Sequence, residues 1–99
     1  MKEFVKRMIA EHAELSARIN KLAEFIYDKK QSDKVSRIEF ANMLVQLKAM
    51  RCYHDALGAR LYNNGVEFDS NTGKYLEVVA VLKDAEKALD ELDNESKDE

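Results

Sequence analysis

Apolar residues recur every three or four positions along two long stretches of the chain, the pattern of amphipathic helices that pack along one seam. The first stretch predicts a helix over residues 2–29, and the second predicts a helix over residues 37–63. The apolar seam positions are Val5, Met8, Leu15, Ile19, Leu22 and Ile26 in the first helix and Phe40, Met43, Leu47, Met50, Leu57 and Leu61 in the second. Each seam has one remaining position, filled by His12 in the first helix and by His54 in the second.

The segment between these helices predicts a turn that reverses the chain. Residues 28–34 are polar and non-periodic, which is typical of a connecting loop. Ser36 followed by Glu39 predicts a capping box, with the Ser36 hydroxyl accepting from the Glu39 amide and the Glu39 carboxylate reaching back to the start of the helix. Residues 63–65, Asn-Asn-Gly, tolerate the left-handed conformation that ends a helix. A short connection makes the two helices antiparallel.

Aligning the two seams gives one register in which every apolar residue faces an apolar residue, from Val5 with Leu61 to Ile26 with Phe40. In that register His12 faces His54. A slip of one heptad would set each histidine against an aliphatic group, and an unpartnered buried nitrogen costs about 1–3 kcal/mol. The main interpretation is a hydrogen-bonded polar layer that fixes the register. A pH-sensitive pair and a zinc site are the alternatives, although zinc needs further ligands and the sequence has no HExxH motif.

The C-terminal third predicts a loop over residues 64–73, in which residues 66–73 could include a short extended piece, then a third helix over 74–92 and a disordered acidic tail over 93–99. The expected fold is therefore all-α: a coiled-coil-like antiparallel helical hairpin plus a third helix. A chain of 99 residues buries a modest core, so we expect a homo-oligomer.

The second helix carries another stripe of small and apolar residues about opposite its seam: Val45, Ala49, Cys52, Ala56 and Ala59. Either helix three or the hairpin of a second copy could cover this stripe. Cys52 is expected to be a buried structural thiol, and a single cysteine points to a reducing, cytoplasmic setting. No apolar run approaches the roughly 20 residues of a membrane span, so no membrane partner is expected.

Charge is divided unevenly along the chain. The net charge is −3, but residues 1–63 hold 12 Lys and Arg against 8 Asp and Glu, whereas residues 64–99 hold 4 against 11. This distribution favours a compact anionic ligand on the hairpin and makes nucleic acid an unfavoured partner. The sequence carries no nucleophile elbow, phosphate-cradling loop or metal motif. We therefore expect a protein that is not an enzyme, with no catalytic residue, no metal and no cofactor.

A polar ridge runs beside the seam, formed by Arg7, Glu11, Glu14, Arg18 and Lys21 of the first helix and Gln46, Tyr53 and Arg60 of the second. One interpretation is a solvated surface with weak pairs four residues apart. The other is a ligand site in which Arg7 and Arg60 contact phosphate, Lys21 supplies a point charge and Tyr53 stacks on a base.

The pattern of seam and ridge positions resembles a family of short phage proteins first noted in crAss-like phage genomes. The residues that carry the resemblance are Phe4, Arg7, Met8, Glu11, Glu14, Leu15, Arg18, Ile19, Lys21, Leu22, Phe25 and Ile26, then Gln46, Leu47, Met50, Tyr53, Leu57, Arg60 and Leu61. They span about the first two-thirds of the chain. The third helix, the acidic tail and both seam histidines depart from the family's usual pattern.

The resemblance implies a phage-encoded protein that acts in the cytoplasm of an infected bacterium. Other small helical-hairpin phage proteins form oligomers that sequester the nucleotide messengers of bacterial defence, and by that analogy we expect an anti-defence protein that sequesters a small cyclic-nucleotide-type signal. The alternative is an adaptor or inhibitor that binds a host protein through the small-residue stripe or the third helix.

Overall fold

The computed structural model describes residues 1–78 and 86–92. Helix α1 spans Glu3–Tyr27, α2 spans Lys29–Ser32 and α3 spans Arg37–Asn63, followed by strands β1 (Val66–Asp69) and β2 (Lys74–Glu77). Residues 86–92 are helical. The chain divides into two compact units, residues 1–60 and residues 61–99. No helix within the described ranges combines the length and the apolarity needed to cross a bilayer.

The first unit is built on the antiparallel pair of α1 and α3. Its core contains Ile19, Ile26 and Leu47, with six apolar neighbours packed against them: Leu15, Leu22, Ala23, Phe40, Met43 and Met50. Both members of four predicted apolar pairs therefore lie in one cluster, and Met8 and Leu57 are also buried. The predicted helical hairpin is confirmed, and α3 has the predicted bounds.

The connection between the long helices is more ordered than the predicted loop. Helix α1 ends at Tyr27, and Asp28 then caps the single turn of α2 by accepting from the amide of Lys30 at 3.1 Å. The Ser36 hydroxyl accepts from the Glu39 amide at 3.1 Å, as predicted, so α3 begins directly after its cap.

The second unit contains an antiparallel β-hairpin where the sequence pattern had predicted a loop and the start of helix three. Its register pairs Val66 with Glu77 and Phe68 with Tyr75. The rings of Phe68 and Tyr75 lie with centroids 5.0 Å apart. The predictions of an all-α chain and of a helix that begins at Lys74 are therefore wrong.

Turn chemistry explains this difference. The Asp69 carboxylate accepts from the Asn71 amide at 2.9 Å, and the Asp69 carbonyl accepts from the Gly73 amide at 2.7 Å. Gly73 adopts a φ of 73°, which suits glycine and closes the hairpin. Of the predicted third helix, residues 86–92 are helical. Residues 79–85 and the predicted tail over 93–99 lie outside the described residues.

The stripe on α3 is open. Val45, Ala49, Cys52, Ala56 and Ala59 are all exposed, and none of the described residues covers them. The expectation that Cys52 is a buried structural thiol is therefore wrong. Helix α3 has two apolar faces, and only the one that meets α1 is buried.

Candidate functional site

A layer of two histidines crosses the helix pair, as the register predicted. The rings of His12 and His54 stack with centroids 3.8 Å apart and an interplanar angle of 28°. His12 is only 1% exposed and is the one buried polar residue of the described core. Burial, and then the neighbouring His54, lower the pKa of His12, so the layer favours a neutral imidazole at that position.

Ser16 completes this layer. Its hydroxyl lies 2.6 Å from Nε2 of His54 and 2.9 Å from the carbonyl oxygen of His12, to which it donates. Gly58 lies beside the layer, and a Cβ at that position would make an ordinary van der Waals contact with Nε2 of His12, at 3.7 Å. Every buried side-chain nitrogen and oxygen of the described residues has a hydrogen-bond partner. These contacts support the interpretation of a satisfied polar layer that holds the register.

The layer is not accompanied by further metal ligands. Within residues 1–78 and 86–92, no three or more His, Cys, Asp and Glu side chains are grouped to hold a metal ion. The zinc alternative therefore gains no support from the described side chains.

Tyr53, predicted to stack on a ligand, lies on the ridge and is held by its neighbours. Its hydroxyl donates to the Glu11 carboxylate on the facing helix. That hydrogen bond is the largest of several causes that raise the pKa of Tyr53, whereas the charge of Arg60 acts in the opposite direction. Tyr53 is nevertheless 49% exposed, so part of its ring is available to solvent.

The adjoining part of the ridge contains an ion pair and a small cleft. Arg18 donates to Glu14 at 2.6 Å, the predicted pair of residues four positions apart. Both side chains are largely exposed, so this pair contributes little to stability. Together with Glu11, Leu15 and Tyr53 they line a cleft of about 110 Å³, which is too small for a nucleotide.

A larger cleft, here called the Lys21 cleft, lies further along the ridge and has a volume of about 390 Å³. Its polar lining is supplied by Arg18, Lys21 and Gln46. Its apolar lining is supplied by Leu22, Phe25, Met43 and Met50. The cleft therefore combines two cations and an amide with an apolar wall containing one aromatic ring.

The four residues predicted to bind a ligand do not converge on one site. Lys21 lies in the Lys21 cleft, whereas Tyr53 and Arg60 interact at a different level of the ridge, and Arg7 is exposed on α1. Lys21 and Arg7 are fourteen residues apart on one helix, or about 21 Å along its axis. A compact ligand bound to a single hairpin cannot touch both.

Sequence reasoning missed two features of these sites. Ser16 is one helical turn after His12, and that spacing could have placed its hydroxyl in the histidine layer. Arg18 and Gln46 belong to the predicted ridge, but the spacing of seam residues does not predict that they share a cleft with Phe25.

Comparison with known proteins identifies the family of this chain. Searches of curated proteins and of solved structures found no match to this chain. A family model described as Sequestin matches residues 2–63, which contain both long helices, the histidine layer and the whole ridge. The family name is consistent with a sequestering or binding role. Because the match covers more than half of the sequence, the chain belongs to the Sequestin family.

Proposed function

We propose that this protein is a phage-encoded, non-enzymatic binding protein that sequesters a small cyclic-nucleotide-type signal of bacterial defence. The observation that carries the proposal is the Lys21 cleft, which lies inside the segment matched by the Sequestin model. The homo-oligomer expected from the sequence remains part of the proposal.

The lining of the cleft suits the parts of a nucleotide. Its volume of about 390 Å³ is large enough for a small molecule, and the cleft is broad and open to solvent. Lys21 can contact phosphate oxygens as a compact charge. Arg18 donates to Glu14, and its guanidinium has further donors that can reach a phosphate. Phe25 and its apolar neighbours offer a surface for a base, and the Gln46 amide has both a donor and an acceptor for a base edge.

The charge distribution favours the same class of ligand. The basic excess of the chain lies within residues 1–63, and the acidic excess lies after them. A small anion would be attracted to the hairpin, whereas a long nucleic acid would also meet the acidic segment. These features support capture of a compact anion.

Calorimetry tests the proposal. The full chain is titrated with 3′,5′-cyclic mononucleotides, cyclic dinucleotides and cyclic ADP-ribose isomers. We expect saturable binding of at least one of them at micromolar protein, with the ligand recovered unchanged after release. Absence of binding across the panel would contradict sequestration, and a chemically altered ligand would contradict the non-enzymatic part.

Paired variants locate the site. Lys21→Gln removes a charge from the cleft, and we expect the Kd to rise about tenfold because charge-assisted hydrogen bonds are among the stronger polar contacts. Lys30→Gln is the matched control, since this exposed lysine does not line the cleft. Arg7→Gln should leave the affinity within twofold. If Arg7→Gln weakened binding and Lys21→Gln did not, the ligand would bind at the other end of the ridge.

An adaptor that binds a host protein is the alternative function. The observation that favours it is the exposed apolar stripe of α3. Two results together would identify this function: the immobilised chain retains a single host protein, and the chain has no affinity for nucleotides. Val45→Glu would then abolish recovery, whereas Lys21→Gln would not.

A further inference from the structure

The exposed side of α3, here called the outer face, is made of Val45, Ala49, Cys52, Ala56 and Ala59, with Ile38 on the same side one step before them. Ile38 is 76% exposed and Val45 is 68% exposed. The spacing from Val45 to Ala59 alternates between four and three residues, which is the spacing of a coiled-coil seam. This helix therefore carries a second seam that nothing in the described chain covers.

Two opposite charges flank the outer face on one side. Lys48 and Asp55 are seven residues apart, so they lie two turns apart on the same side of α3. Both are exposed, and within the described part of the chain neither forms an ion pair. The point halfway between Lys48 and Asp55 along the helix lies beside Cys52, near the middle of the outer face.

We propose that the outer face binds the outer face of a second copy of this chain, with the two α3 helices antiparallel about a twofold axis near Cys52. In the register that we infer, Val45 packs on Ala56 of the second copy and Ala49 packs on its Cys52. Each larger side chain then meets a smaller one, which allows the helix axes to approach closely.

The flanking charges select both the orientation and the register. A twofold axis perpendicular to both helices places the charged sides of the two outer faces next to each other. Lys48 of one copy then lies on the same side as Asp55 of the second copy, and symmetry makes the contact between Asp55 of the first copy and Lys48 of the second identical. In the inferred register, Lys48 of one copy and Asp55 of the other are offset from each other by two residues, or about 3 Å along the helix axis. Shifting by a heptad in either direction increases this offset to five or nine residues, about 7 or 14 Å.

This self-complementarity argues for a second copy as the occupant. The outer face of one copy offers an apolar seam flanked by a cation and an anion. The same face of an antiparallel second copy offers the seam with the two charges in the opposite order, so the two faces complement each other. The inference deepens the proposed function by naming one interface of its oligomer, and it rests on that function only for its use in the cell.

Charge reversal tests the interface through the mass of the full chain in sedimentation equilibrium. Lys48→Asp alone and Asp55→Lys alone should each raise the dimer Kd about tenfold, because attraction is replaced by repulsion at two symmetric positions. An equimolar mixture of the two variants should form heterodimers, and the double variant should recover the wild-type Kd. Lys30→Asp is the control for a change of charge alone.

Two further measurements complete the test. Val45→Glu should give a monomer that keeps the helical circular dichroism of the wild type, which separates loss of the interface from loss of the fold. A short thiol crosslinker should link two wild-type chains through Cys52 and should fail with Val45→Glu. A monomeric wild type, or a dimer that neither Val45→Glu nor the charge reversals affect, would overturn the proposed interface.

Calorimetry keeps this inference separate from the proposed function. Nucleotide binding by a wild-type chain that proves monomeric would leave the Lys21 cleft standing and overturn the dimer. A dimer with the expected charge dependence and no nucleotide affinity would do the reverse.

Discussion

Acidification should destabilise the helical hairpin through His12. The folded chain buries this imidazole against His54, and both burial and that neighbour lower its pKa. In the unfolded chain the same group should titrate near its ordinary value of about 6.5. The unfolded state therefore binds more protons than the folded state below that pH, and stability falls as the pH falls.

The size of the effect has an upper bound. One proton taken up only by the unfolded state changes the free energy of unfolding by at most about 1.4 kcal/mol per pH unit. Between pH 7.5 and pH 5.5, a group with an ordinary unfolded pKa contributes a loss of at most about 1.4 kcal/mol in total. The stabilisation from the neutral His12 is fully present above the pKa that this group has in the unfolded chain. It decreases as the pH falls from there to the pKa of His12 in the folded chain.

Urea denaturation followed by far-ultraviolet circular dichroism measures this loss at pH 7.5, 6.5 and 5.5. His12→Gln is the matched variant, because it keeps a polar side chain of similar length that does not titrate. We expect the wild type to lose stability across this range and the variant to lose clearly less. Parallel losses in both proteins, or a wild type whose stability does not change, would refute the assignment to His12.

Other parts of the helix pair give three further predictions. Ser16→Ala removes the hydroxyl that lies 2.6 Å from His54 and should lower the free energy of unfolding by about 1–2 kcal/mol in urea denaturation. Gly58→Ala should raise the melting temperature, because the added Cβ meets only one side-chain atom, at 3.7 Å, and alanine favours the helix by about 0.5–1 kcal/mol; a lower melting temperature would show that the layer needs the glycine. Glu11→Gln should lower the pKa of Tyr53 in an ultraviolet titration, since the hydrogen bond to the Glu11 carboxylate is the main cause of its elevation; an unchanged titration would contradict the contact.

The helix pair could be predicted because its information is local and repetitive. Seam spacing gave both long helices, and the position of one histidine in each seam gave the register that the His12–His54 stack confirms. The cap at Ser36 was also readable, since the serine and the glutamate three residues later form a known pairing.

The features that the sequence did not predict depend on contacts that the spacing of apolar residues does not determine. Tyr75 opens an apolar pattern of helical period, but the Asp69–Gly73 turn pairs it with Phe68 in a strand. Cys52 lies on the second apolar face of α3, and nothing in a single sequence says whether another part of the chain covers that face. The Lys21 cleft depends on how side chains from two helices are arranged in space, which the type of residue at each seam position does not determine.

The histidine layer connects the fold to the ridge. If α1 slipped by one heptad along α3, facing residues would separate by about 10 Å. Gln46 would then leave the cleft that contains Lys21, and Tyr53 would lose its contact with Glu11. The apolar seam alone opposes such a slip weakly, because aliphatic residues exchange partners at modest cost. The stacked imidazoles oppose it more strongly, because the buried His12 and the half-buried His54 would each lose the other as a partner. The Lys21 cleft therefore depends on a polar layer that lies nine residues away from Lys21 along α1.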